Sequence, residues 1–269
     1  MKRRKSINHQ SMPTGASSET RPIDIQEEFG RFVREFGGIV VEDSLAPQQR
    51  DFSNADYVFK PQNVVAELKV LTRDQSSDPT LYEKLEGLYL SAIKEGLVGP
   101  IFGTVKVNTK DFPELLQRQF LDAHKAPIAT LIKKANKQIK ATKHHLGMPD
   151  AKGLLILFND GNFRLDHDVV AYILHRVLGS DFSSINSVFY GTANLWSEAP
   201  WTTDLVTPLV TFTRHGLPPV EEVFLTELVR RWHIHVDTLR GSPSNFIEVA
   251  PTHEALSQMT LSRAKPGWQ

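Results

Sequence analysis

The chain has 269 residues, of which 40% are hydrophobic and 23% are charged, as in an ordinary globular protein with a substantial core. Its 31 Lys and Arg balance its 31 Asp and Glu, so a polyanion partner would have to be held by a local patch rather than by net charge. Because the chain contains no cysteine, disulfide scaffolds and cysteine-based zinc sites are excluded, and a cytoplasmic location is expected.

Residues 1–21 begin with basic side chains and are rich in Ser, Thr, Pro and Gly, which predicts a disordered basic tail. No apolar segment follows the basic residues, so a secretory signal is not expected. No apolar run in the chain approaches the roughly 18 residues that cross a bilayer, and we expect no membrane partner. The composition leaves a homo-oligomer open.

A helix and three short strands open the predicted ordered part. Phe29, Phe32 and Phe36 recur at helical spacing, and Gly37 and Gly38 end the helix. Apolar and β-branched runs separated by turn residues then predict strands. These first elements are a helix over 23–36 and strands over 39–43, 56–59 and 64–71.

Helical sequence dominates the next part of the chain. Asp78 before Pro79 is a capping residue followed by proline at the first helical position, and Gly96 ends that helix. A second helical stretch, 113–145, is interrupted before Pro127. The remaining predicted elements are strands over 101–107, 153–158, 185–192 and 205–213, and helices near 168–178 and 219–236.

The strand predicted over 64–71, VVAELKVL, carries two charges in an apolar run. Residues two apart on a strand share a face, so Glu67 and Lys69 stand side by side. Burying two charges costs on the order of several kcal/mol per ion unless they are paired or bind a metal. One explanation is therefore a simple ion pair on a half-exposed strand.

Asp56 offers a second explanation. A hairpin through the turn at 60–63 would set Asp56 opposite the region of Glu67, and two facing carboxylates favour a hard cation, Mg²⁺ or Mn²⁺. A lysine beside them can neutralise charge on a phosphoryl oxygen or hold an attacking water. The three residues together predict a metal-and-phosphate site on a strand surface.

Asp56, ten intervening residues, and then Glu67-Leu68-Lys69 in a strand, all after an N-terminal helix, resemble the PD-(D/E)XK nuclease superfamily. The resemblance covers residues 22–71 and, more loosely, 127–158. It implies an α/β fold with a restriction-endonuclease-like core of helix, three strands, helix and strand. It also implies that Asp56 and Glu67 are metal ligands and that Lys69 is the catalytic lysine.

The resemblance further implies an acid on the first helix. Relative to Phe29, Glu28 lies about 100° around the helix, beside the buried face, whereas Glu27 lies about 160° away and points to solvent. Glu28 is therefore the candidate for a third catalytic acid and metal ligand.

The same family often places a Lys or Gln on a later helix. Gln138 is the candidate catalytic residue there, and Lys134, four residues earlier, is the second candidate. The chain departs from the family at two positions: Ala55 stands where a proline normally precedes the Asp, and Thr142 stands where some branches place a tyrosine.

Four lysines of the helix at 127–145 are candidates for nucleic-acid contact. Three of them fall within about 60° of each other, opposite the apolar face, which suits either a phosphate-contacting stripe or a solvated surface. The candidates are Lys133, Lys134, Lys137 and Lys140.

A second acid-x-lysine match occurs at Asp150-Ala151-Lys152. It lies in a loop with Gly and Pro, where solvated charges need no explanation. The Glu67 match alone has a strand, an upstream Asp and an upstream helix acid, so the site is assigned there.

The predicted organisation has four parts. They are a disordered basic tail over 1–21, a nuclease-like core over 22–160 with a helical insertion at about 78–125, an α/β extension packed on the core over 161–240, and an irregular segment over 241–269. The expected function is a metal-dependent nuclease that hydrolyses phosphodiester bonds of nucleic acid, with DNA favoured over RNA. The alternative is a catalytically inactive nucleic-acid-binding or protein-interaction module on the same fold.

Overall fold

The structure is a computed structural model. It describes residues 22–44, 54–72, 78–102, 111–163, 165–179, 182–241 and 252–262. The tail predicted over 1–21 and most of the strand predicted over 101–107 lie outside the described residues.

Helices and strands alternate along the described residues. The helices are α1 (Ile25–Phe36), α2 (Val41–Ser44), α3 (Pro79–Lys94), α4 (Glu114–Ala123), α5 (Lys125–His145), α6 (His167–Leu178), α7 (Glu222–Arg240) and α8 (Thr252–Gln258). The strands are β1 (Ile39–Val40), β2 (Tyr57–Phe59), β3 (Val64–Leu71), β4 (Lys152–Asn159), β5 (Ser187–Gly191), β6 (Trp196–Ala199), β7 (Thr202–Val206), β8 (Leu209–Thr213) and β9 (Thr260–Ser262).

The protein has a mixed α/β fold built on a six-stranded sheet in the order β1-β2-β3-β4-β5-β8. The first three strands pair antiparallel, β3, β4 and β5 run parallel, and β8 is antiparallel to β5. A second, three-stranded sheet has the order β7-β6-β9. In the part of the chain that the structure describes, no helix is long and apolar enough to cross a membrane.

Helices cover both faces of the large sheet, and β3 divides its side chains between them. Val65 and Leu71 belong to a core cluster with α5 and α6, whereas Val64, Ala66 and Leu68 belong to a cluster with α1 and α7. Because alternate residues of a strand share a face, Glu67 and Lys69 lie in phase with Val65 and face α5. The charged pair is thus set beneath one particular helix.

Local sequence explains the hairpin that leads into this site. The N–H of Asn63 donates to the C=O of Lys60 at 3.1 Å, and Asn63 adopts a left-handed backbone with φ 53°. Asn tolerates that conformation better than most residues, so it closes the predicted turn at 60–63. β3 follows with the bounds that its sequence predicted.

Several helix boundaries follow their sequence signals. The Asp78 side chain caps α3 by accepting from Thr80 N–H at 3.0 Å, with Pro79 at the start of the helix. The predicted interruption before Pro127 occurs at His124, between α4 and α5. Both signals act over a few residues, which is why sequence alone locates them.

The strand predicted over 39–43 is wrong beyond its first two residues, because the chain turns into the single helical turn α2. The Val41 N–H still donates to the C=O of Asp56 at 2.8 Å, but Ser44 Oγ then donates to the C=O of Val41. A side-chain hydroxyl that satisfies a nearby carbonyl offers the backbone an alternative to the sheet. The strand predicted over 205–213 is likewise two strands, β7 and β8, separated at Pro208.

The C-terminal parts differ from the predicted organisation in two ways. β5 and β8, in the predicted extension over 161–240, belong to the same sheet as β3. The segment 241–269, expected to be irregular, contains α8 and β9. Leu256, Met259 and Leu261 are buried there, and their short apolar pattern was obscured by the surrounding Pro and Gly.

Candidate functional site

Asp56 lies immediately before β2, next to Glu67 on the antiparallel strand β3. Tyr57 pairs with Ala66 in the β2–β3 register, so the next positions outward are Asp56 and Glu67. Asp56 Oδ2 accepts a hydrogen bond from the Leu68 N–H at 2.8 Å, which fixes the carboxylate against β3. The structure therefore brings together the two acids that the sequence singled out.

Lys69 completes the arrangement. Its Nζ donates to Oε1 of Glu67. The Lys69 side chain is 13% exposed to solvent, whereas the Glu67 side chain is fully buried. The other carboxylate oxygen, Oε2 of Glu67, is buried without a hydrogen-bond partner. A buried oxygen without a hydrogen-bond partner lowers the stability of the folded state, and a bound cation is one group that could satisfy it.

Burial perturbs the acidity of both carboxyl groups. It raises the pKa of Glu67 to about 8, with the neighbouring Asp56 charge adding to the effect and Lys69 opposing it. It also raises the pKa of Asp56, against the Leu68 N–H and Lys69, which lower it. Without a cation, the pair therefore retains a proton at neutral pH, as expected for two neighbouring buried acids.

Glu42 is a residue that the sequence analysis missed. It lies on α2, and its charge contributes to the raised pKa of Asp56. The sequence could have indicated Glu42, because it directly follows the apolar residues of the first predicted strand. That strand, β1, lies at the edge of the sheet and pairs with β2.

Gln138 lies next to the site but contacts backbone. Its Nε2 donates to the C=O of Asn54 at 2.8 Å, and its Oε1 is buried without a hydrogen-bond partner. One turn later, Thr142 Oγ1 accepts from the Ala55 N–H at 2.7 Å. The residues that precede Asp56 are thus held by α5.

Glu28 is not brought to the other acids. It is half-buried beside the packed face of α1, as its helical position predicted, but its carboxylate accepts from Arg31 at 3.0 Å and contacts Nε2 of His235 at 3.4 Å. α1 and α7 lie on the face of the sheet opposite the one that Glu67 shares with α5. The predicted third acid is therefore separated from Glu67 by the sheet.

The four candidate lysines of α5 are all exposed, but they point in different directions. Lys134 lies about 40° around the helix from Gln138, on the side that meets the residues before Asp56. The other three lie at least about 100° from Gln138 and point away from the sheet. They are Lys133, Lys137 and Lys140.

The donor set suits a hard cation. Within the described residues, no group of three or more His, Asp or Glu side chains could hold a metal ion. Mg²⁺ does not require such a cage, because it keeps several waters and commonly binds one or two carboxylates together with substrate phosphate oxygens. Asp56 and Glu67, with a buried oxygen of Glu67 left unsatisfied, fit that mode of binding.

Comparison with family models, curated proteins and solved structures gives no match to this chain. Its interpretation therefore depends on the geometry of Asp56, Glu67 and Lys69. In that geometry two carboxylates are neighbours, the lysine donates to one oxygen of Glu67, and the other oxygen of Glu67 is buried without a hydrogen-bond partner.

Proposed function

We propose that the chain is a Mg²⁺- or Mn²⁺-dependent nuclease of the PD-(D/E)XK type that hydrolyses phosphodiester bonds of nucleic acid, with DNA as the favoured substrate. Its lack of cysteine favours action in the cytoplasm. The observation that carries the proposal is the position of Asp56 beside Glu67, with Lys69 bound to one oxygen of Glu67 and the other oxygen buried and unsatisfied.

The order of elements supports the proposal. α1, the strands β1 to β3, α5 and β4 follow the order of a restriction-endonuclease-like core, with the single turn α2 inserted between β1 and β2 and with α3 and α4 inserted between β3 and α5. The acids lie at the β2–β3 pair and the E-x-K sequence lies in β3, as the resemblance implies.

Each side chain has a distinct part in the proposed reaction. Asp56 and Glu67 would hold the cation through their carboxylate oxygens. When bound, the cation supplies Lewis-acid activation of water and of the phosphodiester. Lys69, mostly buried beside Glu67, would hold the attacking water or neutralise the charge that develops on a phosphoryl oxygen.

Cleavage assays on full-length protein test the proposal. Supercoiled plasmid, linear duplex DNA, single-stranded DNA and RNA are incubated with wild type, Glu67→Ala and Lys69→Ala in Mg²⁺, Mn²⁺ and EDTA. We expect metal-dependent cleavage of DNA by wild type and a loss of roughly 100-fold or more in each variant. Cleavage that persists unchanged in both variants would exclude this site.

The second acid-x-lysine sequence provides a matched control. Asp150→Ala and Lys152→Ala remove the same residue types from a position where Asp150 is exposed and β4 begins. Both variants should cleave as wild type does. If Asp150→Ala and Lys152→Ala lost as much cleavage as Glu67→Ala and Lys69→Ala, the assay would be responding to charge removal in general.

A catalytically inactive binding module on the same fold is the alternative function. The observation that favours it is Glu28, whose carboxylate is engaged by Arg31 and His235 on the other face of the sheet. In that case the wild type would bind nucleic acid without cleaving it in either metal.

A further inference from the structure

Thr142 makes a hydrogen bond that ties the helix above the site to the backbone before Asp56. Its side chain is fully buried on α5, and its Oγ1 accepts from the Ala55 N–H at 2.7 Å. Ala55 is also fully buried, so the hydroxyl satisfies an N–H that is shielded from water. The contact links residues 87 positions apart in the sequence.

Three elements together determine where Asp56 lies. The first residue of α2 holds its backbone, because the Val41 N–H donates to the Asp56 C=O at 2.8 Å. β3 holds its carboxylate through the Leu68 N–H, also at 2.8 Å. α5 holds the Asn54–Ala55 peptide, one residue before Asp56, because Thr142 accepts from its N–H at 2.7 Å and Gln138 donates to its C=O at 2.8 Å.

We propose that Thr142 is a positioning residue, which fixes the Ala55–Asp56 backbone so that the carboxylates of Asp56 and Glu67 can hold one cation together. This inference rests on the proposed function for the identity of the ligand. Thr142 acts through backbone and touches neither cation nor substrate.

The expected effect is on cation affinity. Groups that orient a metal ligand typically change affinity or activity about 10–100-fold when they are removed. Thr142→Val keeps the shape of the side chain and removes the acceptor, whereas Thr142→Ser keeps the hydroxyl. We expect the first to weaken Mn²⁺ binding and the second to retain affinity close to wild type.

A control with the same chemistry lies on the opposite face of the sheet. Ser187 Oγ is buried and accepts from the Val220 N–H at 3.0 Å. Ser187→Ala also leaves a buried N–H without its hydroxyl partner, so its cost in folding stability should be similar to that of Thr142→Val. It should leave Mn²⁺ affinity unchanged.

The experiment measures Mn²⁺ affinity by calorimetry and cleavage at saturating Mn²⁺ for the full-length wild type and the three variants. We expect Thr142→Val to bind Mn²⁺ about 10–100-fold more weakly and to lower kcat with little change in KM. Equal Mn²⁺ affinities in Thr142→Val and Ser187→Ala would overturn the inference and leave the proposed nuclease intact.

A metal-free measurement separates this inference from the proposed function. The carboxyl ¹³C resonance of Asp56, assigned with Asp56→Asn, should shift in Thr142→Val and not in Ser187→Ala. If wild type neither binds Mn²⁺ nor cleaves, the proposed function fails, and an unshifted resonance then overturns the positioning role as well. Should Thr142→Val not fold, Thr142→Ala replaces it, since water can enter the space left by the smaller side chain.

Discussion

Lys69 satisfies only half of the buried carboxylate of Glu67. Its Nζ donates to Oε1, while Oε2 lies in the core without a hydrogen-bond partner. A buried carboxylate in that state destabilises the fold unless it is protonated or meets a cation. The pair is thus better suited to binding than to stability, as is common where a site trades stability for function.

Glu67→Gln should stabilise the metal-free protein at alkaline pH. The folded pKa of about 8 lies above the usual 4.5, so the folded state binds the proton more tightly, and wild type loses stability as pH rises from about 4.5 to about 8. Because glutamine does not ionise, the free energy of unfolding of the variant should not fall with pH in this way. The difference from wild type at pH 8 should be on the order of a few kcal/mol. Thermal unfolding in EDTA at pH 5, 6.5 and 8 should show an advantage that grows with pH.

Glu114→Gln is the control for that measurement, because the Glu114 side chain is 78% exposed. Its Tm difference from wild type should not change across the same pH range. A Tm difference for Glu67→Gln that is equally constant would mean that Glu67 is ionised throughout.

Mg²⁺ or Mn²⁺ should raise the Tm of wild type and not that of Asp56→Asn. A ligand that binds only the folded state stabilises it by about 2.7 kcal/mol at a concentration 100-fold above Kd. Asparagine keeps the size of the side chain and an acceptor for the Leu68 N–H but removes one of the two charges that would hold the ion. Differential scanning fluorimetry with and without cation measures the effect.

Glu28→Gln is the matched variant on the opposite face of the sheet. Because Glu28 is engaged by Arg31 and His235, we expect it to retain the full cation-dependent rise in Tm. If Glu28→Gln and Asp56→Asn lost the cation-dependent rise in Tm equally, Glu28 would be one of the cation ligands, as the sequence resemblance implied.

The sequence predicted that Asp56 lies beside Glu67, because short-range rules were sufficient there. Alternation along β3 and the turn at 60–63 set Asp56 opposite Glu67, since a hairpin register depends on only a few residues. The acid on α1 could not be assigned in the same way. A helical wheel shows that Glu28 lies near the packed face, but its partner His235 comes from α7, 207 residues away.

The parts of the fold that sequence missed also depend on distant pairing. β6 lies between β7 and β9, and its partner β9 comes from the segment expected to be irregular. Three residues of β9 carry too little pattern to predict a strand, because the hydrogen bonds that define it come from β6. Thr142 was noticed only as a departure from a family pattern, and its contact with Ala55 required the packing of α5.

Lys134→Ala should impair cleavage more than Lys137→Ala. Lys134 shares the side of α5 that carries Gln138, whose amide reaches Asn54 near Asp56, whereas Lys137 points away from the sheet. A lysine that contacts a phosphate contributes about one unit to the slope of binding against salt. Measuring KM for DNA at several salt concentrations should show a raised KM and a shallower slope for Lys134→Ala alone. A larger effect for Lys137→Ala would instead assign the substrate to the outward face of α5.

Gly153→Ala should destabilise the sheet that carries the site. Gly153 pairs with Val65 across β4 and β3, and a Cβ added there would lie 1.8 Å from the backbone oxygen of Ser184. β4 and the loop before β5, which contains Ser184, must therefore move apart, at a cost of about 3 kcal/mol or more and a fall in Tm of about 6–12 °C. Gly87→Ala is the control, because a Cβ there meets no atom within 4 Å and alanine favours the helix α3. Thermal unfolding should show a lower Tm for Gly153→Ala and not for Gly87→Ala. An unchanged Tm for Gly153→Ala would mean that β4 does not approach Ser184 so closely.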